Sequence, residues 1–407
     1  MAKYYEALEK EYSPGFDGDF DIPTFDDVKL ILENAGLQKE DVDRNVVSPI
    51  PDEDRRDLGS LDIIPDPNYV FRLDSEIPNL YEKDLSIDNR IDPDSDFILY
   101  PYDGEKEPYL IRSKGIYNLP KTVCGRIDAR STIARLGGRI QSVGKNKRGK
   151  LEAGYTGPIW MQVVPGQFPL EMDFEEPLAQ ISFHKEYEDS IPAPSIKKLN
   201  NTSEKTYQEI YRDEKEIGLY KGEMGNQEDR VPLNRAIENR GVKFTTNMDL
   251  GFIAKDLNQI PGPINISETD VDPTDYFRKM EPTDENRWKL KEGTLHLLMT
   301  DEKLDLSKNY GGVIQRNHEF LRGIRIHEAG ILDPLSKGYI TMEVSSPSGA
   351  LVGSEFLGIF YPHGMDYGDC ENELDFEEKS TSYNNVPHPI PKVFEEVDYD
   401  KFEIAQI

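Results

Sequence analysis

Short apolar segments recur along two parts of this chain, separated by turns rich in glycine, proline and acidic residues. In the first part the pattern predicts strands at SLDIIP, YVFRL, DFILYPY, PYLIRS, GPIWMQVV, QFPLEMD and LAQISFHK. Short strands at this regular spacing are typical of a β-sandwich or a distorted barrel. DFILYPY and PYLIRS are further predicted to form a hairpin around the polar DGEKE.

Two segments show helical periodicity instead. Residues 24–36 (TFDDVKLILENAG) place apolar side chains on one face between an N-terminal cap and a glycine, which predicts a short helix. Residues 203–217 (SEKTYQEIYRDEKEI) predict a second helix, in a connector between two β-rich parts.

The second β-rich part repeats the first. Without gaps, residues 129–140 align with 315–326, and residues 151–163 with 332–344, so that Gly157 meets Gly338. An internal duplication is the preferred interpretation, and two unrelated β domains are the alternative. The sequence therefore predicts a mainly β fold: an N-terminal extension with one helix (1–58), a first β unit (59–187), a connector (188–249), a second β unit (250–364) and a C-terminal tail (365–407).

Composition excludes several classes of function. The chain has 48 Lys and Arg against 77 Asp and Glu, a formal net charge of −29, which disfavours nucleic acid as a partner. Its two cysteines exclude a disulfide scaffold and a cysteine-rich zinc site, so no protein-bound zinc is expected. No apolar run is long enough for a membrane span, and the N-terminus has no signal core, so a cytoplasmic protein is expected.

One basic stretch stands out in this acidic chain. Residues 121–150 contain nine Lys or Arg and a single acid, Asp128. Within them, ARSTIAR places Ser131 and Thr132 between Arg130 and Arg135, and hydroxyl donors beside guanidinium groups suit a triphosphate. The following GKNKRGK is more simply interpreted as a solvated loop.

These residues resemble the dCTP deaminase family of the trimeric dUTPase-like superfamily. ARSTIARLG resembles the family's phosphate-binding segment, HEAGILDP…GYITMEV its hairpin, and EAGYTGPIWMQVVPGQFPLEM the two-repeat branch. The resemblance covers roughly 59–187 and 250–363. It implies two tandem dUTPase-like distorted β-barrel or jelly-roll units with short helices and a helical connector, and a homo-oligomer in which neighbouring copies hold the nucleotide.

The resemblance also implies roles for single residues. Glu343 takes the position of the catalytic glutamate, which would move protons between water and the base without a protein-bound metal. Mg²⁺ would be held mainly by the substrate triphosphate. The residues implied to bind substrate are Arg130, Ser131, Thr132, Arg135, Ala329, Asp333 and Thr341, with Tyr383 and Lys392 as candidate lid contacts in the tail.

Departures from the family pattern differ between the two repeats. In the first repeat Gln162 takes the glutamate position, and an amide cannot shuttle protons. In the second repeat Asn317 and Leu321 replace the serine and the second arginine. The first repeat thus keeps the phosphate clamp and the second keeps the carboxylate, which predicts one composite site. Leu335 replaces a glycine of the hairpin, so an altered turn is expected.

The reaction expected from these residues is hydrolytic deamination of dCTP to dUTP and ammonia. Two alternatives remain open. The first is dUTP pyrophosphatase activity, alone or together with deamination, in which Asp333 would orient the attacking water. The second is a non-catalytic regulator that binds nucleotides, which Gln162 and Leu321 make plausible.

Overall fold

The structure is a computed structural model of the 407-residue chain. It describes residues 47–48, 60–72, 91, 97–101, 108–119, 123–143, 150–185, 217–232, 237–238, 241–268, 270–308, 310–316, 323–327, 330–354, 358–364, 389–391, 394 and 398–405. The helix predicted over 24–36 lies outside these residues, as does the predicted connector helix up to residue 216. Ile217, its last residue, instead begins a strand.

The chain divides into two compact units. Unit 1 comprises residues 1–133, 138–186 and 262–268, and unit 2 comprises residues 134–137, 187–261 and 269–407. Each unit thus contains a short segment that comes from the other's part of the sequence. This exchange was not predicted from the sequence.

The described residues are dominated by strands, because β-branched and aromatic side chains alternate with polar ones over short runs. In chain order the strands are β1 (Val47–Ser48), β2 (Leu61–Ile63), β3 (Pro65–Arg72), β4 (Phe97–Leu99), β5 (Tyr109–Asn118), β6 (Val123–Ala129), β7 (Arg139–Val143), β8 (Lys150–Leu151), β9 (Thr156–Val164), β10 (Leu170–Met172), β11 (Ala179–Lys185), β12 (Ile217–Tyr220), β13 (Ile237–Glu238), β14 (Gly241–Phe244), β15 (Thr246–Ala254), β16 (Ile264–Asn265), β17 (Phe277–Lys279), β18 (Trp288–Leu290), β19 (His296–Leu306), β20 (Tyr310–Arg316), β21 (Arg325–His327), β22 (Ile331–Leu332), β23 (Lys337–Ser345), β24 (Ala350–Val352) and β25 (Gly358–Gly364). Helix α1 is Ser131–Arg135, and 3-10 turns span Leu257–Gln259, Pro273–Asp275 and Tyr399–Lys401.

Unit 1 is built from three sheets. The largest has the order β1-β5-β9-β7, with β3 also pairing with β5. A second sheet has the order β2-β11-β6-β8, and a third the order β16-β10-β4. The strands predicted in this part of the sequence are all present, and the mainly β fold is confirmed.

One predicted pairing is wrong. The sequence suggested that β4 and β5 form a hairpin, but β4 pairs with β10 and β5 pairs with β3 and β9. The backbone N–H of Tyr100, directly after β4, donates to the hydroxyl of Tyr109 on β5 at 3.0 Å. Proximity in sequence favoured a hairpin, whereas burial of β5 between two long strands decides the observed pairing.

Unit 2 is a sandwich of two main sheets. One sheet has the order β17-β15-β19-β23-β21, with β12 also on β19, and the other has the order β13-β14-β25-β20-β22. Their inner faces form one core that includes Leu298, Met342, Val344 and Phe360. The sheets approach closely at Gly358, where an added Cβ would lie 2.2 Å from Cε of Met342, so a larger residue there would require the methionine side chain to move.

The same hydroxyl contact occurs once in each unit. Ser113 on β5 donates to a carbonyl two residues on, at 2.7 Å, and accepts from the Ile159 N–H of β9 at 2.8 Å. Thr300 on β19 likewise donates two residues on, at 2.7 Å, and accepts from the Ile340 N–H of β23 at 2.9 Å. Both contacts lie where the strand register shifts, as expected of a β-bulge.

Candidate active site

Glu343 lies on β23, on the face of the sheet that points away from the sandwich core. It pairs with Leu297 on β19, which in turn pairs with Phe252 on β15. Directly paired residues share a face, whereas Met342 and Val344 point into the core. The glutamate is only 4% exposed. The alternation of the strand therefore buries a carboxyl group on the second face of this sheet.

Burial and a nearby cation act on this carboxyl group in opposite directions. Burial raises the pKa of Glu343 to about 8, while the positive charge of Arg135 lowers it. The larger effect is burial, because a low-dielectric environment disfavours the charged carboxylate. A carboxyl group with a pKa near neutral can both take up and release a proton at physiological pH.

Arg135 is the last residue of α1 and belongs to the 134–137 segment of unit 2. Arg135 is only 8% exposed, and its Nη1 donates to the carbonyl oxygens of Pro389 and Ile390 at 3.5 and 3.4 Å. These bonds are long. The positive charge of the same side chain also acts on Glu343 and lowers the pKa of that carboxyl group. The structure thus brings together two residues that the sequence singled out, Arg135 and Glu343.

The C-terminal segment covers the same face of the sheet. Phe402 packs on Phe252 with ring centroids 4.9 Å apart, and Phe394 packs on Phe277 at 5.6 Å. Farther along, the backbone of residues 403–405 hydrogen-bonds to both sides of Lys279, at 3.0 and 2.9 Å. This packing contributes to the burial of the face that carries Glu343. The candidate lid residues Tyr383 and Lys392 lie outside the described residues.

The other residues of the basic segment belong to unit 1. The backbone N–H of Arg130 donates to the Leu178 carbonyl at 3.0 Å, and its Nη1 contacts Oδ1 of Asp62 at 2.6 Å. Ser131 and Thr132 open α1 with partly exposed side chains. The helix closes through a left-handed Gly137, with φ of 84°. Ser131 and Thr132 therefore lie on a short turn of helix, and Arg130 directly precedes it.

The hairpin turn before β23 places Leu335 in a conformation that ordinarily favours glycine. Leu335 has a φ of 64°, in the left-handed region that normally favours glycine. The Ser336 hydroxyl donates to the Asp333 carbonyl at 2.6 Å and braces the turn. Asp333 is buried, and Thr341 is half-buried on β23. Ala329 lies outside the described residues.

In unit 1 an amide pair occupies the corresponding strands. Gln162 on β9 pairs with Leu110 on β5, as Glu343 pairs with Leu297, and accepts a bond from Nε2 of Gln141 at 2.7 Å. Trp160, two residues before Gln162 on β9, packs edge-on against Tyr69, with the ring centroids 6.3 Å apart. Neither amide can change protonation state, so this hairpin has no group for proton transfer at that position.

The sequence did not predict three partners of the basic segment. Asp62 lay in a strand read only for its apolar residues, and the Pro389 and Ile390 carbonyls are backbone groups that carry no sequence signal. Within the described residues, no group of three or more His, Cys, Asp and Glu side chains could hold a metal ion. Nor does any helix in this part of the chain have the length and apolarity to cross a membrane.

Comparison with known proteins finds a similar family over the first part of the chain and a similar fold over most of it. Residues 37–186 match the family model described as dCTP deaminase-like. The fold is similar to the crystal structure of 2′-deoxycytidine 5′-triphosphate deaminase from Agrobacterium tumefaciens, with a TM-score of 0.61 over 78% of this chain and 92% of that chain, at 16% identity. No curated protein sequence matches the chain. The resemblance inferred from the sequence motifs is confirmed.

Proposed function

From the match of residues 37–186 to the dCTP deaminase-like family model, we propose that the protein hydrolyses dCTP to dUTP and ammonia. The observation that carries the proposal is the buried carboxyl group of Glu343, with its pKa raised to about 8, beside Arg135. A strongly perturbed carboxyl group with a specific charge partner is a functional-site candidate.

The proposed chemistry needs one group that accepts and returns a proton. The Glu343 carboxylate takes a proton from water as the water oxygen bonds to C4 of cytosine, and returns this proton to N3. The carboxylate then takes the remaining proton of the C4 hydroxyl and delivers it to N4, the C4–N4 bond breaks, ammonia leaves, and the C4 carbonyl of uracil forms. General acid–base catalysis of this kind contributes on the order of 10²–10⁴-fold.

Arg135 has a different role in this proposal from the other residues of the basic segment. Its buried charge stabilises the ionised form of Glu343, so it acts on the reacting carboxylate. Arg130, Ser131 and Thr132 would bind the triphosphate, together with Mg²⁺ held mainly by the phosphates. Ala329, Asp333 and Thr341 would bind the rest of the nucleotide.

The composite site is part of the same proposal. It is supported by the assignment of residues 134–137, which come from the first half of the chain, to the unit that holds Glu343. The matched hydroxyl contacts of Ser113 and Thr300 support the tandem repeat. The amide of Gln162 supports a single catalytic hairpin in each chain.

The test is incubation of the purified protein with dCTP and Mg²⁺, followed by chromatography of the nucleotides. We expect dUTP from the wild type, and no detectable dUTP from Glu343→Gln, which should still bind dCTP in calorimetry. Gln162→Ala is the matched control on the other hairpin and should keep wild-type activity. Full activity of Glu343→Gln would contradict the assignment.

The same chromatogram separates the two alternatives. Formation of dUMP and pyrophosphate would indicate dUTP pyrophosphatase activity, alone or after deamination. Unchanged dCTP that nevertheless binds would indicate a nucleotide-binding regulator. Light scattering of the same sample would test the predicted homo-oligomer.

A further inference from the structure

We propose that Asp62 is a positioning residue that holds the Arg130 guanidinium in place for the triphosphate, an inference that rests on the proposed function. Oδ1 of Asp62 lies 2.6 Å from Nη1 of Arg130. The Asp62 side chain is 6% exposed and that of Arg130 is 33% exposed. The carboxylate is thus the buried end of the pair, and the guanidinium is the end that reaches solvent.

Arg130 is fixed at its backbone as well as at its tip. Its N–H donates to the Leu178 carbonyl at 3.0 Å, directly after the last residue of β6. A guanidinium is a rigid planar fork, so a short charge-assisted bond to one nitrogen restricts the orientation of the whole plane. The exposed third of the side chain then presents a preset plane to an incoming phosphate.

Asp62 is held by the sheet and not by a loop. On β2 it pairs with Gln180 of β11, which pairs in turn with Asp128 of β6. Residues opposite one another share a face, so these three side chains form a row across three strands. A side chain on a rigid strand positions its partner more accurately than one on a flexible segment.

The row contains a second ion pair that serves as an internal comparison. Asp128 is 11% exposed and accepts from Nε of Arg126 at 2.9 Å, and Arg126 is equally buried. Arg126 lies outside the ARSTIAR segment and has no proposed contact with the nucleotide. The two carboxylates therefore share a sheet, a face and a degree of burial, but only Asp62 holds a residue of the proposed phosphate site.

Asp62 has two opposing effects on phosphate binding. Its negative charge partly offsets the positive charge of Arg130, while its hydrogen bond removes the entropy cost of ordering that side chain on binding. Ordering one long side chain at an interface corresponds to roughly 2- to 10-fold in affinity. We expect the orienting effect to dominate, because Arg130 remains a full cation and the charge it meets is that of a triphosphate.

The test compares Asp62→Asn with Asp128→Asn in the full-length protein. For Asp62→Asn we expect the KM for dCTP to rise about 3- to 10-fold, with kcat within twofold of the wild type. Inhibition by inorganic tripolyphosphate should weaken by the same factor. Asp62→Glu should restore most of the affinity. Asp128→Asn should leave both constants unchanged, while it lowers thermal stability as Asp62→Asn does.

Three results would overturn the proposal. A purely structural role predicts that Asp62→Asn lowers stability as Asp128→Asn does, with KM unchanged. A dominant charge effect predicts that the KM and the inhibition constant fall. If Asp62→Asn does not fold, Asp62→Ser replaces it, because the short serine side chain cannot reach the Arg130 guanidinium; tripolyphosphate affinity equal to that of the wild type would then contradict positioning.

Failure of the proposed function gives a different pattern. In that case the wild type forms no dUTP, so no kinetic constant exists to compare. Calorimetric titration of wild type and Asp62→Asn with tripolyphosphate still measures the effect of Asp62 on phosphate binding. Weaker binding to the variant would support the positioning role even without turnover, and equal binding would contradict it.

Discussion

A carboxyl group buried beside a cation behaves differently from one on the surface. Glu343 is 4% exposed and Arg135 is 8% exposed, so solvent screens their interaction little. Burial alone would keep Glu343 protonated, and Arg135 moves the equilibrium toward the carboxylate. The pair therefore has the property that proton transfer near neutral pH requires, which neither residue has by itself.

The rate of deamination should depend on pH through this pair. Because the attacking water needs an ionised base, kcat/KM for dCTP should rise with pH and level off above about 8, where Glu343 is ionised. In Arg135→Gln the midpoint should move to higher pH, because the charge that lowers the pKa is gone. A pH profile of both proteins checks this, and an unshifted midpoint would show that Arg135 acts only in binding.

The same group predicts how stability depends on pH. Between its ordinary pKa of 4.5 and about 8, Glu343 holds a proton in the folded protein and not in the unfolded chain. The unfolding free energy should therefore fall as pH rises through this window, by at most about 1.4 kcal/mol per pH unit from this group.

Glu343→Gln removes that contribution, because an amide does not titrate. Urea unfolding at pH 5 and pH 8 should show a smaller difference between the two pH values for the variant than for the wild type. Parallel pH dependence in the two proteins would mean that Glu343 is not buried as a neutral acid.

At the level of elements, the hairpin before β23 contains a residue with an unfavourable backbone conformation. Leu335 adopts φ of 64° because the chain must reverse between buried Asp333 and the start of β23. The left-handed conformation costs an ordinary residue about 1–2 kcal/mol. A strained residue at a candidate site is informative because the surrounding structure must hold it there.

Replacing that residue by glycine should relieve the strain. We expect relief of this strain in Leu335→Gly to raise the unfolding free energy by about 1 kcal/mol. The greater conformational entropy of glycine in the unfolded chain offsets part of this gain. Ser336→Gly, at the next position, is the control: it loses the hydroxyl bond to Asp333 and should destabilise. Chemical denaturation of the two variants distinguishes them by the sign of the change.

The strands were predictable because local alternation decides them, and so was the mainly β fold. β4 shows the limit, because its partner β10 is distant in sequence and the pattern of β4 does not specify it. The motif around Arg130 and the hairpin of Glu343 were likewise found from local sequence. Asp62 was not predicted, because a single acid in an apolar strand gives no local signal. Its role depends on the strand register that brings it to Arg130.

At the scale of the whole molecule, each unit includes a short segment from the part of the sequence that otherwise forms the other unit. Unit 1 includes 262–268, whose β16 pairs in parallel with β10, and unit 2 includes 134–137. If the chain is divided within 187–216, neither piece contains all the residues of its unit. Each piece alone should therefore lack deaminase activity, because the piece with Glu343 lacks Arg135.

Co-expression of the two pieces tests this expectation. Activity should return when both are present, and not when the first piece carries Arg135→Gln. Activity in the second piece alone would show that Glu343 does not need a residue from the first half of the chain.

The shared segments also bear on how the protein is made. A ribosome completes residues 134–137 long before it reaches Glu343 and the C-terminal carbonyls that accept from Arg135. During that interval the residues that bury Arg135 have not been synthesised. The arginine side chain therefore cannot reach its final environment when the first half of the chain is complete. The environment of Arg135 is therefore completed only after residues 389 and 390 have been synthesised.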